Sequence, residues 1–171
     1  MESNQGGSAV RPGKDEYFMV MAQAASGRAT CKRRKVGAVL VRDGHIVSTG
    51  YNGSPEGLEH CLEVGCEMEG GHCVRCVHAE ANAIIQAGVM GASTADTTMY
   101  TTASPCRYCM GLIINARIKR VVYCEQYKDP QHEGDKARWA LDVAARLGIA
   151  MVYLPSVPRV CLMGVDMGKA T

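Results

Sequence analysis

Residues 77–109 read VHAEANAIIQAGVMGASTADTTMYTTASPCRYC, and this stretch decides how the rest of the chain is interpreted. It opens with His78-Ala79-Glu80 and closes with Pro105-Cys106-Arg107-Tyr108-Cys109. An imidazole and two thiolates are ligands that zinc prefers, and three protein ligands leave the fourth tetrahedral position open for water. The stretch therefore predicts a catalytic zinc site formed by His78, Cys106 and Cys109.

Both ends of this stretch have the pattern of a helix start. His78 precedes an apolar segment that predicts a helix to about Met90, and Pro105 suits the entry of a second helix. Cys106 and Cys109 are three residues apart, so their sulfurs point to one side of that helix. The positive ends of the two helix dipoles favour the thiolate form of both cysteines.

Glu80 follows His78 by two residues, and we expect it to face the open side of the metal. A zinc-bound water has a pKa near 7, and a neighbouring carboxylate can take its proton and pass it to a substrate. Such a site suits hydrolytic attack on an amidine-like ring carbon with loss of ammonia. A redox cysteine pair would leave His78 and Glu80 without a role, and a structural zinc would use a fourth protein ligand.

Composition narrows the class of protein. The 171 residues suggest one domain, and a formal charge of +2 gives no global case for nucleic-acid or membrane binding. The polar N-terminus has no signal-peptide core, and no apolar run is long enough to span a bilayer. The chain has nine cysteines. Metal ligation in a reducing cytoplasm is a simpler account of them than disulfide bonds in a secreted protein. We expect a loose tail over residues 1–13, a domain over 14–158 and a second tail over 159–171.

Periodicity predicts an alternation of helices and strands. The first helix starts near Glu16 with Asp15 as its cap, and Asp43-Gly44 joins two β-rich runs in a hairpin. Three further helices then alternate with three strands, which indicates one α/β domain with a mixed sheet between helices. Five apolar residues share one face of the first helix: Tyr17, Val20, Met21, Ala24 and Ala25.

The segment from Leu58 to Cys76 has weak periodicity but is rich in cysteine and histidine. A loop this long without secondary structure is unusual inside a compact domain. A second, structural zinc would explain it, because a closed four-ligand site substitutes for a missing core. The predicted ligands are Cys31, Cys61, Cys66 and His72, with Cys73 as the substitute. The alternative is a set of free, partly buried thiols.

Two further features suggest recognition of a nucleotide. The basic run Lys32-Arg33-Arg34-Lys35 is either a solvated surface or, in part, a phosphate-binding site. Asn52, in a turn-forming loop, offers a donor and an acceptor suited to a sugar hydroxyl. The alternative for Asn52 is a residue kept for a left-handed backbone.

These residues carry a family resemblance. The two zinc motifs and the order of elements resemble the cytidine deaminase superfamily, which implies a three-layer α/β/α fold with a mixed five-stranded sheet. Three stretches resemble deoxycytidylate (dCMP) deaminases in particular: Lys35-Val36-Gly37-Ala38-Val39, Gly50-Tyr51-Asn52-Gly53-Ser54-Pro55 and His78-Ala79-Glu80-Ala81-Asn82-Ala83-Ile84. The resemblance covers roughly residues 17–154.

The resemblance implies the roles of individual residues. His78, Cys106 and Cys109 would bind zinc, and Glu80 would be the proton shuttle that converts dCMP to dUMP and ammonia. The substrate would be contacted by Asn52, Ala79, Ser104 and Tyr127. Effector-binding residues would lie near the Gly-Tyr-Asn-Gly loop and the basic run: Lys32, Arg33, Arg34, Lys35, Tyr51 and Gly53.

The resemblance also implies partners. Members are oligomers, often hexamers, and many are activated by dCTP and inhibited by dTTP. One rival interpretation is a tRNA or single-stranded nucleic-acid deaminase, although one Trp and one Phe give little stacking surface. A second rival is a zinc-stabilised binding module without enzymatic activity, which leaves Glu80 without a task.

Overall fold

A mixed five-stranded sheet forms the centre of the domain in the computed structural model, which describes residues 11–126, 135–155, 157, 161–162 and 165–166. The strand order is β2-β1-β5-β6-β7. Strands β2, β1 and β5 are antiparallel neighbours, and β5, β6 and β7 run parallel. The sheet strands are β1 (Gly37–Arg42), β2 (His45–Tyr51), β5 (Thr98–Ala103), β6 (Arg120–Glu125) and β7 (Ala150–Tyr153).

Helices cover both faces of this sheet, which confirms the predicted three-layer α/β/α fold. One face packs against α1 (Lys14–Ser26) through a cluster that includes Phe18, Met19 and Val122. The other face packs against three helices through a cluster that includes Ala83, Met110 and Ala144. These helices are α3 (Ala79–Val89), α4 (Arg107–Asn115) and α5 (Asp135–Arg146).

The hairpin and one glycine bring β2 close to α3. Asp43 and Gly44 both have positive φ, at 52° and 79°, as a two-residue hairpin turn requires. A Cβ atom added to Gly50 would overlap the carbonyl oxygen of Ala79 and the amide nitrogen of Ala83. The backbone of β2 therefore lies against the first turn of α3, the helix that follows His78.

One expectation about α1 was wrong. Asp15 does not cap the helix. Gly13 is the N-cap, and its amide donates to Glu16 Oε2 at 2.8 Å. Asp15 instead accepts bonds from Arg120 at 2.6 and 2.8 Å and from the Tyr100 hydroxyl at 2.8 Å. The buried residues are Phe18, Met19, Ala22, Gln23 and Ser26, whereas Tyr17 of the predicted face is exposed.

The cysteine-rich segment has more regular structure than the sequence suggested. It contains a one-turn helix, α2 (Cys61–Val64), and an antiparallel pair, β3 (Met68–Glu69) with β4 (His72–Cys73). These elements are too short to bury a core of their own. Leu62, Val64, Met68 and Val74 remain between 49% and 55% exposed.

Little of the predicted tails falls within the described residues, so their division from the domain stays a prediction. Within 159–171, β8 (Cys161–Leu162) and β9 (Val165–Asp166) form an antiparallel pair. In the part of the chain that the structure describes, no helix combines the length and the apolar character needed to cross a membrane.

Candidate active site

Two helix starts bring the three predicted metal ligands together. His78 is the N-cap of α3, Cys106 is the N-cap of α4, and Cys109 lies in the first turn of α4. His78 Nδ1 is 3.5 Å from Cys106 Sγ and 3.4 Å from Cys109 Sγ. Tetrahedral zinc with ordinary Zn–N and Zn–S bonds places such atoms ~3.6 Å apart. The donor set therefore fits a zinc ion with three protein ligands.

The charges of these groups suit a cation. Cys109 and His78 hydrogen-bond Cys106 and lower the pKa of its thiol to about 4. The bond between His78 and Cys106 raises the pKa of the His78 imidazole to about 8. The bond between Cys109 and Cys106, together with burial, raises the pKa of the Cys109 thiol. A thiolate beside an imidazolium is a pair from which a metal ion can displace the proton.

Glu80 lies beside the three ligands in the first turn of α3 and is 4% exposed. Burial raises the pKa of its carboxyl group to about 7, and His78 opposes this shift only in part. A buried carboxyl group with a pKa near neutrality is suited to take and return a proton. The structure thus places the predicted acid/base against the predicted metal site.

A cavity of about 250 Å³ opens onto this site. Its lining includes His78, Glu80 and Cys106, and also three of the residues predicted to contact substrate: Asn52, Ala79 and Ser104. The fourth, Tyr127, lies outside the described residues. The cavity is therefore lined by residues far apart in the chain, and their contacts with a substrate stay predictions.

The basic run divides into two parts. Arg33 and Arg34 line the cavity, and Arg34 Nη2 forms an ion pair with Glu125 Oε2 at 2.9 Å. Lys32 and Lys35 are exposed and do not line the cavity. Two arginines thus line the same cavity as His78 and Cys106, whereas the family resemblance implied an effector-binding role for both.

The other two residues assigned to effector binding, Tyr51 and Gly53, have structural contacts. The Tyr51 carbonyl oxygen accepts a bond from Asn82 Nδ2 at 2.7 Å. Gly53 pairs with Val77 through two backbone bonds of 3.2 and 2.9 Å. Both contacts fix the chain immediately around His78, and neither residue lines the cavity.

A second group of donors lies next to the first. The sulfurs of Cys31, Cys61, Cys66 and Cys73 lie within 4.8 Å of one another. Cys73 takes the place predicted for His72, which is not in this group although it lines the cavity. Successive residues of a strand point to opposite sides, and His72 and Cys73 are successive in β4.

Cys76 joins this group and was not among the predicted ligands. Its sulfur lies 3.4 Å from Cys61 Sγ and 3.9 Å from Cys73 Sγ. Edges between sulfurs in a tetrahedral zinc site measure ~3.8 Å. The spacing Cys73-x-x-Cys76 repeats that of Cys106-x-x-Cys109. This repetition is the sequence signal that could have identified Cys76 as a candidate ligand. We call Cys31, Cys61, Cys66, Cys73 and Cys76 the sulfur cluster.

The thiols of the sulfur cluster differ in acidity. Burial raises the pKa of Cys61 to about 12 and also raises that of Cys31. Burial opposes ionisation of Cys73 as well, but bonds from Cys61 and from the Arg75 backbone outweigh it and lower the Cys73 pKa to about 7. The cluster therefore combines thiols whose ionisation burial opposes with one, Cys73, whose ionisation its neighbours favour.

Comparisons with known proteins agree with this geometry. The family model of the cytidine and deoxycytidylate deaminase zinc-binding region matches residues 12–125. The chain is 45% identical over 114 residues to ComE operon protein 2 of Bacillus subtilis, covering 67% of this chain and 60% of that protein. It is 37% identical over 125 residues to the deoxycytidylate deaminase of Saccharomyces cerevisiae, covering 70% of this chain.

A solved structure extends the match. The dCMP deaminase of the cyanophage S-TIM5, in complex with dCMP and dUMP, aligns with a TM-score of 0.70 and 31% identity. This alignment covers 85% of the present chain and 99% of the phage chain. By contrast, the chain spans only 60% of the length of the Bacillus subtilis relative and 40% of that of the yeast relative.

Proposed function

The chain belongs to the cytidine and deoxycytidylate deaminase zinc-binding family, and we propose that it hydrolyses dCMP to dUMP and ammonia. The observation that carries the proposal is the juxtaposition of three zinc ligands, a buried carboxyl group and two arginines around one cavity. The relatives named deoxycytidylate deaminase, and the phage structure with dCMP and dUMP, support the choice of substrate.

His78, Cys106 and Cys109 would hold the catalytic zinc, which when bound supplies a Lewis acid that activates water. Glu80 moves two protons in this reaction. As a carboxylate it accepts one proton of the attacking water and delivers it to N3 of cytosine while the water oxygen bonds to C4. It then transfers the second water proton to the amino group, which leaves as ammonia when the C4–N bond breaks. The product keeps the proton on N3 and the new oxygen on C4.

The cavity supports recognition of a nucleoside monophosphate. Ala79 and Ser104 line the cavity beside Glu80, which supports the assignment of both residues to contacts with the pyrimidine ring. Arg33 and Arg34 border the same cavity, and guanidinium groups match the geometry of phosphate oxygens. We assign these two arginines to the 5′-phosphate of dCMP.

We further propose that the sulfur cluster binds a second, structural zinc. Cys31, Cys61, Cys66 and Cys73 are the assigned ligands because their sulfurs are mutually close. Cys76 is the alternative fourth ligand, since it lies 3.4 Å from Cys61. Counting zinc in Cys66→Ser and Cys76→Ser tests the assignment. Loss of one zinc per chain is expected from Cys66→Ser, and a loss seen only with Cys76→Ser would exchange the two roles.

Regulation and assembly follow the family resemblance. We propose that dCTP activates the enzyme, that dTTP inhibits it and that the chain forms a homo-oligomer, a hexamer. The exposed Lys32 and Lys35 support a contact with effector phosphates outside the cavity. Three exposed apolar residues in the last turns of α3 and at its C-cap support burial against another copy: Ile85 at 57%, Val89 at 74% and Met90 at 71%. Light scattering on the purified protein tests the hexamer.

A substrate panel tests the activity. Protein with its zinc content counted is assayed with dCMP, deoxycytidine, CMP and dCTP, each with and without dCTP or dTTP as effector. We expect turnover of dCMP above the other three, raised by dCTP and lowered by dTTP. Zinc-loaded protein that turns over no pyrimidine would reject the proposal and direct the search to adenosine in tRNA.

A further inference from the structure

We infer that the sulfur cluster has a second task, which is to hold Arg33 and Arg34 at the cavity, so that this cluster determines the preference for a nucleotide over a nucleoside. The inference rests on the proposed function, because it assigns the two arginines to the substrate phosphate. Cys31 is the link, since it belongs to the cluster and directly precedes the basic run. It is therefore a positioning residue that acts through the arginines.

The first observation is the fold of the backbone after Cys31. The backbone N–H groups of Arg33 and Arg34 both face the Cys31 sulfur. Cys31 itself is 3% exposed. A sulfur that faces the amides of the residues two and three positions later lies inside a tight turn. The position of Cys31 Sγ therefore fixes the backbone that carries both arginines, and Glu125 orients the Arg34 guanidinium through an ion pair of 2.9 Å.

The second observation is a clamp on the other side of the same loop. Asn52 Nδ2 donates to the Arg34 carbonyl oxygen at 2.8 Å, and Asn52 Oδ1 accepts from the Val36 amide at 2.8 Å. The Asn52 backbone also accepts from Thr30 N at 3.1 Å and donates to Val36 O at 3.2 Å. Residues 30–36 thus wrap around Asn52, and Cys31 anchors the opposite side of this loop.

The third observation concerns what fixes the position of Cys31. The cysteine-rich segment opposite it leaves four of its large apolar side chains about half exposed: Leu62, Val64, Met68 and Val74. A backbone bond from Leu62 N to Thr30 O, at 3.1 Å, is a further contact between segment and loop. Because apolar packing is slight here, the sulfurs that converge on Cys31 carry most of the attachment. Metal binding would therefore lock the arginine loop.

The test compares a ligand with its phosphate-free counterpart. Calorimetry measures the Kd of the product dUMP and of deoxyuridine for wild-type protein, Cys31→Ser and Arg34→Ala. Arg28→Ala is the matched control, since Arg28 is an exposed arginine three residues before Cys31 and does not line the cavity. Zinc per chain is counted for each protein.

Cys31→Ser is expected to lose one zinc per chain and to weaken dUMP binding by about tenfold to a hundredfold, the range for charge-assisted hydrogen bonds. Arg34→Ala should weaken dUMP binding similarly with its zinc intact. Deoxyuridine affinity should change less than threefold in both, and Arg28→Ala should resemble wild type. A Cys31→Ser protein that loses zinc but keeps the wild-type ratio of the two Kd values would overturn the inference.

If Cys31→Ser does not fold, a second measurement tests the inference. Amide hydrogen exchange is measured on wild-type protein with and without a zinc chelator. Exchange at Arg33 and Arg34 should accelerate when the second zinc leaves, and unchanged exchange there would overturn the inference. Absence of dCMP turnover in wild type would reject the proposed function, whereas the ratio of Kd values still decides the role of Cys31.

Discussion

Replacing Glu80 by glutamine should stabilise the fold while it removes the proton shuttle. Glu80 is 4% exposed, and burial raises its pKa from the usual 4.5 to about 7. A shift of this size costs about 3 kcal/mol of folding free energy once the carboxyl group is ionised. Glutamine has nearly the same shape and carries no charge, so the variant does not incur this cost.

The pH dependence follows from the direction of the shift. The protonated carboxyl group contributes stability that is fully present below about pH 4.5, and this stability is lost as the pH rises through about 7. The difference in unfolding free energy between Glu80→Gln and wild type should therefore grow by about 2 to 3 kcal/mol between about pH 5 and pH 8.

Urea unfolding at these two pH values is the assay. It is carried out before and after chelation of zinc, because the positive charge of a bound ion stabilises the carboxylate and reduces the difference. Glu56→Gln is the control for the loss of one carboxylate, since Glu56 is exposed. A Glu80→Gln protein whose advantage is absent at pH 8, or equal at both pH values after chelation, would refute the reasoning.

Three further predictions concern the scaffold and the metal. Gly50→Ala should destabilise the protein by about 3 kcal/mol or more, because the added Cβ overlaps the backbone of α3. Gly88→Ala, where no atom lies within 4 Å of an added Cβ, should stabilise the protein by up to about 1 kcal/mol. Thermal or urea unfolding measures both variants, and equal effects would contradict the close approach of β2 to α3. Asp15→Asn should cost about 1 kcal/mol near pH 7, a value reduced because Asp15 and Arg120 are 35% and 31% exposed. Arg120 lowers the pKa of Asp15 below 3.8, so this cost should disappear once acid protonates the carboxylate. Acid unfolding measures it, and a cost that persisted there would show that the ion pair is not its cause. His78→Ala should lose one zinc per chain by elemental analysis, and full zinc content would remove His78 from the ligand set.

The candidate zinc ligands and the candidate acid/base could be predicted because their sequence signals are local. His78 and Cys106 each stand at a helix start, and these two starts bring their donor atoms within 3.5 Å of each other. Glu80 and Cys109 follow within one helical turn. Predicting these positions needed no knowledge of how strands pair across the fold. It needed only the assumption that the two helix starts lie side by side, which the combined motif implies.

Other features depended on tertiary contacts that no local pattern contains. Whether His72 or Cys73 enters the sulfur cluster depends on which side of a two-residue strand faces Cys31. The entry of Arg33 and Arg34 into the cavity depends on the wrapping of their loop around Asn52. These relations are set by pairing across the fold, so the sequence could suggest the residue types but not their arrangement.

The buried face of α1 shows a different limit. Apolar residues stand on nearly every side of this helix, from Tyr17 to Ala25, so periodicity does not select one face. The sheet selects it instead, because Phe18 and Met19 pack on β-strand residues such as Val39 and Val122. Asp15 stands next to the helix start, so the local sequence indicated a cap. Its partner in the structure, Arg120, lies 105 residues away in the chain, and no local pattern indicates it.

The most direct test of the central claim is the rate of ammonia release from dCMP by wild-type protein and by Glu80→Gln, with the zinc content of both counted. The claim predicts that wild type produces dUMP and ammonia in equal amounts. It also predicts that the glutamine variant keeps the same zinc and loses activity by about 10² to 10⁴. Near-native turnover by the variant, or no turnover by wild type with its zinc in place, would contradict the claim.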